Sequence, residues 1–217
     1  MAGRRRWSTD EILDTAVTLL RTGEPESFSV RQLAAALGTD SSSLYRHFRN
    51  KTDLLRAVAD RVLLEAVKDH RPQGGWKHRV TALALRLREA FGEQPQLARV
   101  WGRYGSGGTG SRLVMEEILQ ALRASGLPEQ AIPTHYHRIV ILLVALISAE
   151  ADISTIAPAE YEQGMEQFRV AVLGADPGPF PALAHFARDV RPLGEDRRAA
   201  FEEILAAHLA QIEAQTR

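Results

Sequence analysis

At 217 residues, 45% apolar and 25% charged, the chain has the composition of a folded protein with material for one or two cores. Its 27 basic and 27 acidic side chains cancel, which excludes a global field drawing it to DNA or an anionic membrane, so any nucleic-acid site must be local. The lack of cysteine removes disulfides, thiolate metal sites and thiol nucleophiles, and it fits a reducing, cytoplasmic setting.

The start, Met1 to Trp7, carries Arg4, Arg5 and Arg6 with no apolar segment behind them, so no secretory signal is expected there. Ser8 and Glu11 have capping-box spacing, Trp7 and Ile12 staple spacing, and Ile12, Leu13, Ala16, Val17 and Leu20 form one helical face. Gly23 and Pro25 end that helix. Ser29 with Gln32 and Phe28 with Leu33 repeat the same device, and Val30, Leu33, Ala34 and Leu37 give the next buried stripe. Gly38 can close the helix, Asp40 can cap the following one, and Leu44 with Phe48 give it a short apolar face. Asn50 then caps a longer helix bearing Leu54, Leu55, Val58 and Val62.

The run Arg71-Pro72-Gln73-Gly74-Gly75 cannot continue a helix, and a domain boundary is placed there, dividing residues 1–70 from 71–217. Beyond it, Trp76, Val80, Leu83, Leu87 and Phe91 predict an amphipathic helix ending near Gln94-Pro95, followed by a short helix through Trp101 and Tyr104. Gly105 to Gly110 is a glycine-rich loop, and Val114, Ile118, Ala121 and Leu122 predict a helix that Gly126 closes. Thr134 to about Ser154 is apolar nearly all round. Its wholly apolar stretch, Ile139 to Ile147, is too short to span a bilayer. A Pro/Gly-rich connection, Gly174 to Pro181, leads to a last amphipathic helix with Phe201, Ile204, Leu205, Leu209 and Ile212. With no alternating β-branched run, the fold class is all-α.

The short helices at the front have the dimensions of a helix-turn-helix, whose later helix enters the DNA major groove. With Leu44 and Phe48 inward, about 100° per residue turns Ser42, Ser43 and Arg46 outward, flanked by Tyr45 and His47. Ser27 to Arg56 holds five bases, Arg31, Arg46, Arg49, Lys51 and Arg56, against the acids Asp40 and Asp53, so the neutral whole conceals a basic end.

The runs Ser29-Val30-Arg31-Gln32-Leu33-Ala34, Ser43-Leu44-Tyr45-Arg46-His47-Phe48 and Asn50-Lys51-Thr52-Asp53-Leu54-Leu55 resemble the DNA-binding domain of tetracycline-repressor (TetR) type regulators. The resemblance implies an all-α homodimer with an N-terminal three-helix DNA-binding head and a C-terminal helical domain that binds a small effector and dimerises. It assigns Arg31 to phosphate or base contact, Ser41, Ser42 and Ser43 to the start of the recognition helix, and Tyr45, His47 and Lys51 to phosphates. Arg46 occupies a family-variable position and is read either as a base reader, through guanine O6 and N7, or as a phosphate clamp. Arg4 to Arg6 are either an arm into an adjacent groove or a solvated tail.

For the effector, Phe91, Trp101, Tyr104, Met115 and Tyr136 have the character of cavity-lining groups but equally that of core. Glu150 either anchors a ligand or sits on a helix surface. His135 and His137, two apart, diverge on a helix, so neither a metal nor another cofactor is expected. Tetracycline-binding members use a magnesium-liganding histidine near their sixth helix. None occurs between Gly92 and Ser125, so tetracycline with magnesium is not the expected effector. The Phe201-to-Ile212 stripe and the Ile139-to-Ile147 run serve either dimerisation or the protomer core, and His208 in the first is an interior or interface histidine.

The expected function is a ligand-responsive regulator, a repressor, that binds a palindromic duplex operator as a homodimer, with no membrane partner. The alternative is an all-helical small-molecule-binding protein or enzyme with a helix-turn-helix-like front. No nucleophile elbow, zinc-protease motif or phosphate-binding loop supports an enzyme.

Overall fold

The computed structural model describes residues 7–22, 28–192 and 195–216. They form eleven α-helices and one 3₁₀ turn, with no strand among the described residues. The head comprises α1 (Thr9–Thr22), α2 (Val30–Ala36) and α3 (Ser41–Leu44), and α4 (Lys51–Val67) leads out of it. The body comprises α5 (Trp76–Gly92), α6 (Pro95–Tyr104), α7 (Thr109–Arg123), the 3₁₀ turn Glu129–Ala131, α8 (Ile132–Ser154), α9 (Pro158–Leu173), α10 (Pro181–Phe186) and α11 (Arg197–Ala214).

The helices of the head start where their caps dictate. Ser8 N donates to Glu11 Oε2 at 2.9 Å while Glu11 N donates to Ser8 Oγ at 3.2 Å. The Ser29/Gln32 box is likewise closed in both directions. Asp40 Oδ1 accepts from Ser43 N at 2.8 Å, and Asn50 Oδ1 from Asp53 N at 2.8 Å. Gly38, at φ 62°, makes the left-handed turn between α2 and α3. Ile12, Ala16, Leu20, Leu33, Leu44 and Leu54 close the core beneath these turns. The ends proposed at Gly23 and Pro25 lie outside the described residues.

Helix α4 belongs to head and body at once. Its buried positions run from Leu54 to Ala66, and it packs on α1 on one side and on α5, α6 and α7 on the other. Helix α8 completes the body against α5, α6, α7 and α11. The stripe Phe201, Leu205, Leu209, Ile212 of α11 is buried within the protomer, as are Ile139, Leu143 and Ile147 of α8. Their opposite faces, with Ile141, Ala145 and Ala149 on α8 and Ile204, Ala207 and Ala214 on α11, are exposed. Helices α9 and α10 were not anticipated. They pack mainly on each other, and Val172 is the one buried position of α9, so its sequence carries no apolar stripe to read. No single helix among the described residues is long and apolar enough to cross a membrane.

Two positions yield stability tests. A Cβ on Gly110 would lie 2.4 Å from the Asp60 carbonyl oxygen and 2.5 Å from Leu64 N, so this glycine sets the approach of α7 to α4. Gly110→Ala is expected to cost about 1–3 kcal/mol in chemical denaturation, while Gly92→Ala, with open space around it, is expected to cost nothing. His208 faces His135, ring centroids 6.2 Å apart, and burial, reinforced by His135 and Arg138, holds its pKa below the ordinary 6.5. The folded state thus favours the neutral ring. That contribution is complete above pH 6.5 and is lost as pH falls through the lowered folded value, so the thermal midpoint should drop faster below pH 6.5 than in His208→Leu.

Candidate nucleic-acid interface and interior cavity

Helix α3 is one turn long and cannot hold its shape alone, so its geometry is imposed by what lies under it. Leu44 and Phe48 are buried beneath it, and Phe48 N donates to Leu44 O at 3.1 Å, closing the chain back on the helix. Tyr45, Arg46 and His47 occupy the turn between these two anchors, and all three are exposed. His47 Nδ1 lies 3.1 Å from Thr9 Oγ1, which fixes the imidazole against the start of α1.

Ser43 departs from the expected outward orientation. It is 8% exposed, and its hydroxyl accepts from Arg46 Nη2 at 3.1 Å and donates to Asp40 Oδ1 at 3.2 Å. The projection at a fixed angle per residue fails because the helix ends at Leu44, and the chain from Tyr45 onward follows a turn. Ser43 therefore orients Arg46 from below, while Ser42 remains exposed, its hydroxyl bonded to Asp40 Oδ1, and Ser41 is half-buried.

Arg31 is exposed on α2. Lys51 lies at the first position of α4, its Nζ donating at 2.6 Å to the Phe28 carbonyl and lying 5.8 Å from the Phe28 ring. An ammonium has three donors, so this tether to the start of α2 leaves Lys51 able to meet an anion. Arg4, Arg5 and Arg6 lie outside the described residues.

The body holds a partly open cavity of about 280 Å³ between α4, α5, α6, α7 and α8. Trp101, Met115 and Tyr136 line it, with Leu63, Leu87 and Ile118 forming much of the apolar wall. No charged side chain is among its lining. Its polar groups are the Ser106 and Ser111 hydroxyls, the Tyr136 phenol and the backbone at Gly102 and Gly105. Burial pushes the Tyr136 phenol above its ordinary pKa, so it stays a neutral donor.

The other proposed ligand residues lie elsewhere. Phe91 is fully buried, stacked on the far side of Trp101 with ring centroids 4.7 Å apart. Glu150 accepts from Arg88 Nε at 2.9 Å and borders a separate space of about 190 Å³. Tyr104 lines an outer groove of about 570 Å³ between head and body. His135 Nε2 lies 3.1 Å from Gln215 Oε1, and no metal-competent cluster occurs among the described residues.

The sequence reading missed Leu63 of α4, Ser106 and Ser111 as cavity residues. It also missed Asp60, whose one sequence signal is an acid within the apolar register of α4. Asp60 is 9% exposed and accepts from Gly110 N at 3.0 Å and Ser111 N at 2.8 Å.

This geometry, an exposed Tyr-Arg-His turn over a capped helix joined to a body with a charge-free cavity, agrees with known proteins. The family description "Bacterial regulatory proteins, tetR family" matches residues 12–58, and "Tetracyclin repressor-like, C-terminal domain" matches residues 69–216. A structural-genomics crystal structure from Streptomyces coelicolor A3(2) is 68% identical, has a TM-score of 0.85, and aligns over 98% of this chain and 100% of that one. ActR of Streptomyces coelicolor, in complex with actinorhodin, is 26% identical with a TM-score of 0.85 over 98% of this chain and 99% of its own. The transcriptional repressor DrrR1 of Streptomyces coeruleorubidus is 27% identical over 187 residues, 83% of this chain and 68% of that protein. The chain belongs to the TetR family: it is a helix-turn-helix transcriptional regulator and not an enzyme.

Proposed function

We propose that the protein is a cytoplasmic repressor that binds a palindromic operator as a homodimer and is released by a neutral, largely apolar small molecule held in the interior cavity. The observation that carries this reading is the pairing of the Tyr45-Arg46-His47 turn with that cavity through one helix, α4. Residues 1–70 act as the DNA-binding unit and residues 71–217 as the effector-binding and dimerisation unit.

On DNA, Arg31, Tyr45, His47 and Lys51 grip phosphates while Ser41 and Ser42 approach the groove. Arg46, aimed by Ser43, reads a base through its guanidinium. A single head of this size makes too few contacts for selective binding, so two heads on a two-fold axis must match half-sites about 34–36 Å apart. The exposed faces of α8 and α11 supply the pairing surface: Ile141, Ala145 and Ala149 beside Ile204, Ala207 and Ala214 are apolar and small enough for close helix contact. Val170, Leu173, Phe180 and Phe186 on the α9–α10 arm are also exposed.

In the cavity, a charged effector would lose its hydration with no opposite charge to replace it, so the lining selects a neutral one. Trp101 and Tyr136 offer ring faces, while Ser106, Ser111 and the Tyr136 phenol offer hydrogen bonds to a hydroxyl or carbonyl. The complex of ActR with actinorhodin and the repressor description of DrrR1 support both halves of the reading.

Selection from a random duplex pool should enrich one near-palindrome, and an unenriched pool would refute operator reading. Lys51→Ala should weaken binding to all duplexes and lower the slope of log K against log salt by about 0.9, the counterion release of one phosphate contact. Arg46→Ala should instead relax preference at one base pair per half-site, a loss of roughly 1–3 kcal/mol. For the dimer, Ile141→Glu with Ile204→Glu should shift the mass in light scattering from two chains to one, and an unchanged mass would place the interface elsewhere.

A further inference from the structure

Two residues on one face of α4 hold both ends of the connector between α6 and α7. Arg56 and Asp60 are four apart, and so are neighbours on the helix surface. Arg56 Nε donates at 2.9 Å to the carbonyl oxygen of Tyr104, the last residue of α6. One turn further on, the Asp60 carboxylate accepts from the amides of Gly110 and Ser111. These amides open α7, whose N-cap residue, Gly108, contributes no side-chain cap. A helix start that would otherwise carry orphan donors is thus completed by a carboxylate from another helix, in the sense its dipole favours.

The connector between these grips is built for close approach. Gly105 has φ 63°, a conformation open to glycine, and a Cβ on Gly108 would lie 2.1 Å from Asp60 Oδ2. The same segment is a wall of the interior cavity, through Gly105, Ser106 and Ser111. A molecule entering the cavity therefore presses on a segment whose two ends are hydrogen-bonded to the helix that leaves the DNA-binding head.

We propose that Arg56 and Asp60 are the positioning residues that transmit occupancy of the cavity to the head. This rests on the effector reading given above. Leu63 also reaches the cavity from α4, but its apolar contacts carry no directional preference. Hydrogen bonds are directional, and a carboxylate this buried is costly to leave without donors, so α4 follows the connector instead of releasing it. Because Lys51 begins α4 directly after the Asn50 cap, motion of α4 carries the recognition turn with it.

The test needs neither the effector nor the operator. The chain has no cysteine, so Ala36→Cys, on the exposed side of α2, takes a single nitroxide label, and pulsed electron resonance on the full-length dimer reads the distance between heads. Val140→Phe, from the α8 wall, serves as a built-in occupant of the cavity. With Arg56 and Asp60 intact, Val140→Phe should shift the inter-head distance. With Asp60→Asn and Arg56→Gln the shift should fall by half or more, while circular dichroism and thermal midpoint confirm the fold. Should Asp60→Asn fail to fold, Arg56→Gln alone, at an exposed side chain, should still diminish the shift. A shift of the same size in the substituted background would overturn the coupling role and leave the effector cavity standing. No shift from Val140→Phe in either background would overturn both.

Discussion

Everything in this molecule hangs on the burial of α4 along its whole length. Leu54 and Leu55 near its start and Leu63 and Ala66 near its end are all buried, with α1 packed on one side and α5, α6 and α7 on the other. A helix seated in two cores cannot rotate or slide without disturbing both, because close-packed interiors accept discrete rearrangements and resist gradual ones. The head is therefore not a bead on a string. The Tyr45-Arg46-His47 turn inherits its orientation from α4, and α4 inherits its own from the body.

How much of this was legible in the sequence depended on whether the determining interaction was local. Caps act over three residues, so the Ser8/Glu11 and Ser29/Gln32 boxes and the Asn50 cap could be read directly, and with them the starts of α1, α2 and α4. Burial stripes repeating at three and four also translated faithfully, as in Val80, Leu83, Leu87 and Phe91. Ser43 did not, because periodicity was extended past the end of a helix only four residues long. Helix α9 escaped for a different reason: its outer surface is covered by nothing in the protomer, so burial leaves no pattern in its sequence.

The interior cavity shows where one-dimensional reading stops. Phe91 and Trp101 are both large, both buried and both on inward faces, yet one backs the other and only Trp101 meets the empty space. A helical stripe tells which way a side chain points. It does not tell whether another side chain fills the volume in front of it, since that depends on helices distant in sequence. Asp60 is the same problem in polar form. Its partners, Gly110 and Ser111, are fifty and fifty-one residues away, and their glycine-rich setting reads as mere loop until the carboxylate is seen against it.

If the proposed reading holds, with an effector in each cavity of a dimer, the size of the cavity constrains how the switch can work. Turning a population from 99:1 to 1:99 requires about 5.5 kcal/mol of differential binding. An effector with micromolar affinity has about 8 kcal/mol in total, so a single site would have to lose most of its affinity in the DNA-competent form. A neutral ligand has no ion pair to break, so on that reading its discrimination comes from shape and from hydrogen bonds to the Ser106, Ser111 and Tyr136 hydroxyls: the cavity must fit it less well when the heads are set for DNA. Two cavities in a dimer share the demand, about 2.7 kcal/mol each. At roughly 25 cal/mol per Å² that corresponds to about 110 Å² of apolar surface covered in one state and bare in the other, near the burial of a single large side chain. Displacement of one wall segment is enough to alter burial on that scale, and the glycine-rich connector from Gly105 to Gly108 is the wall least encumbered by side chains of its own.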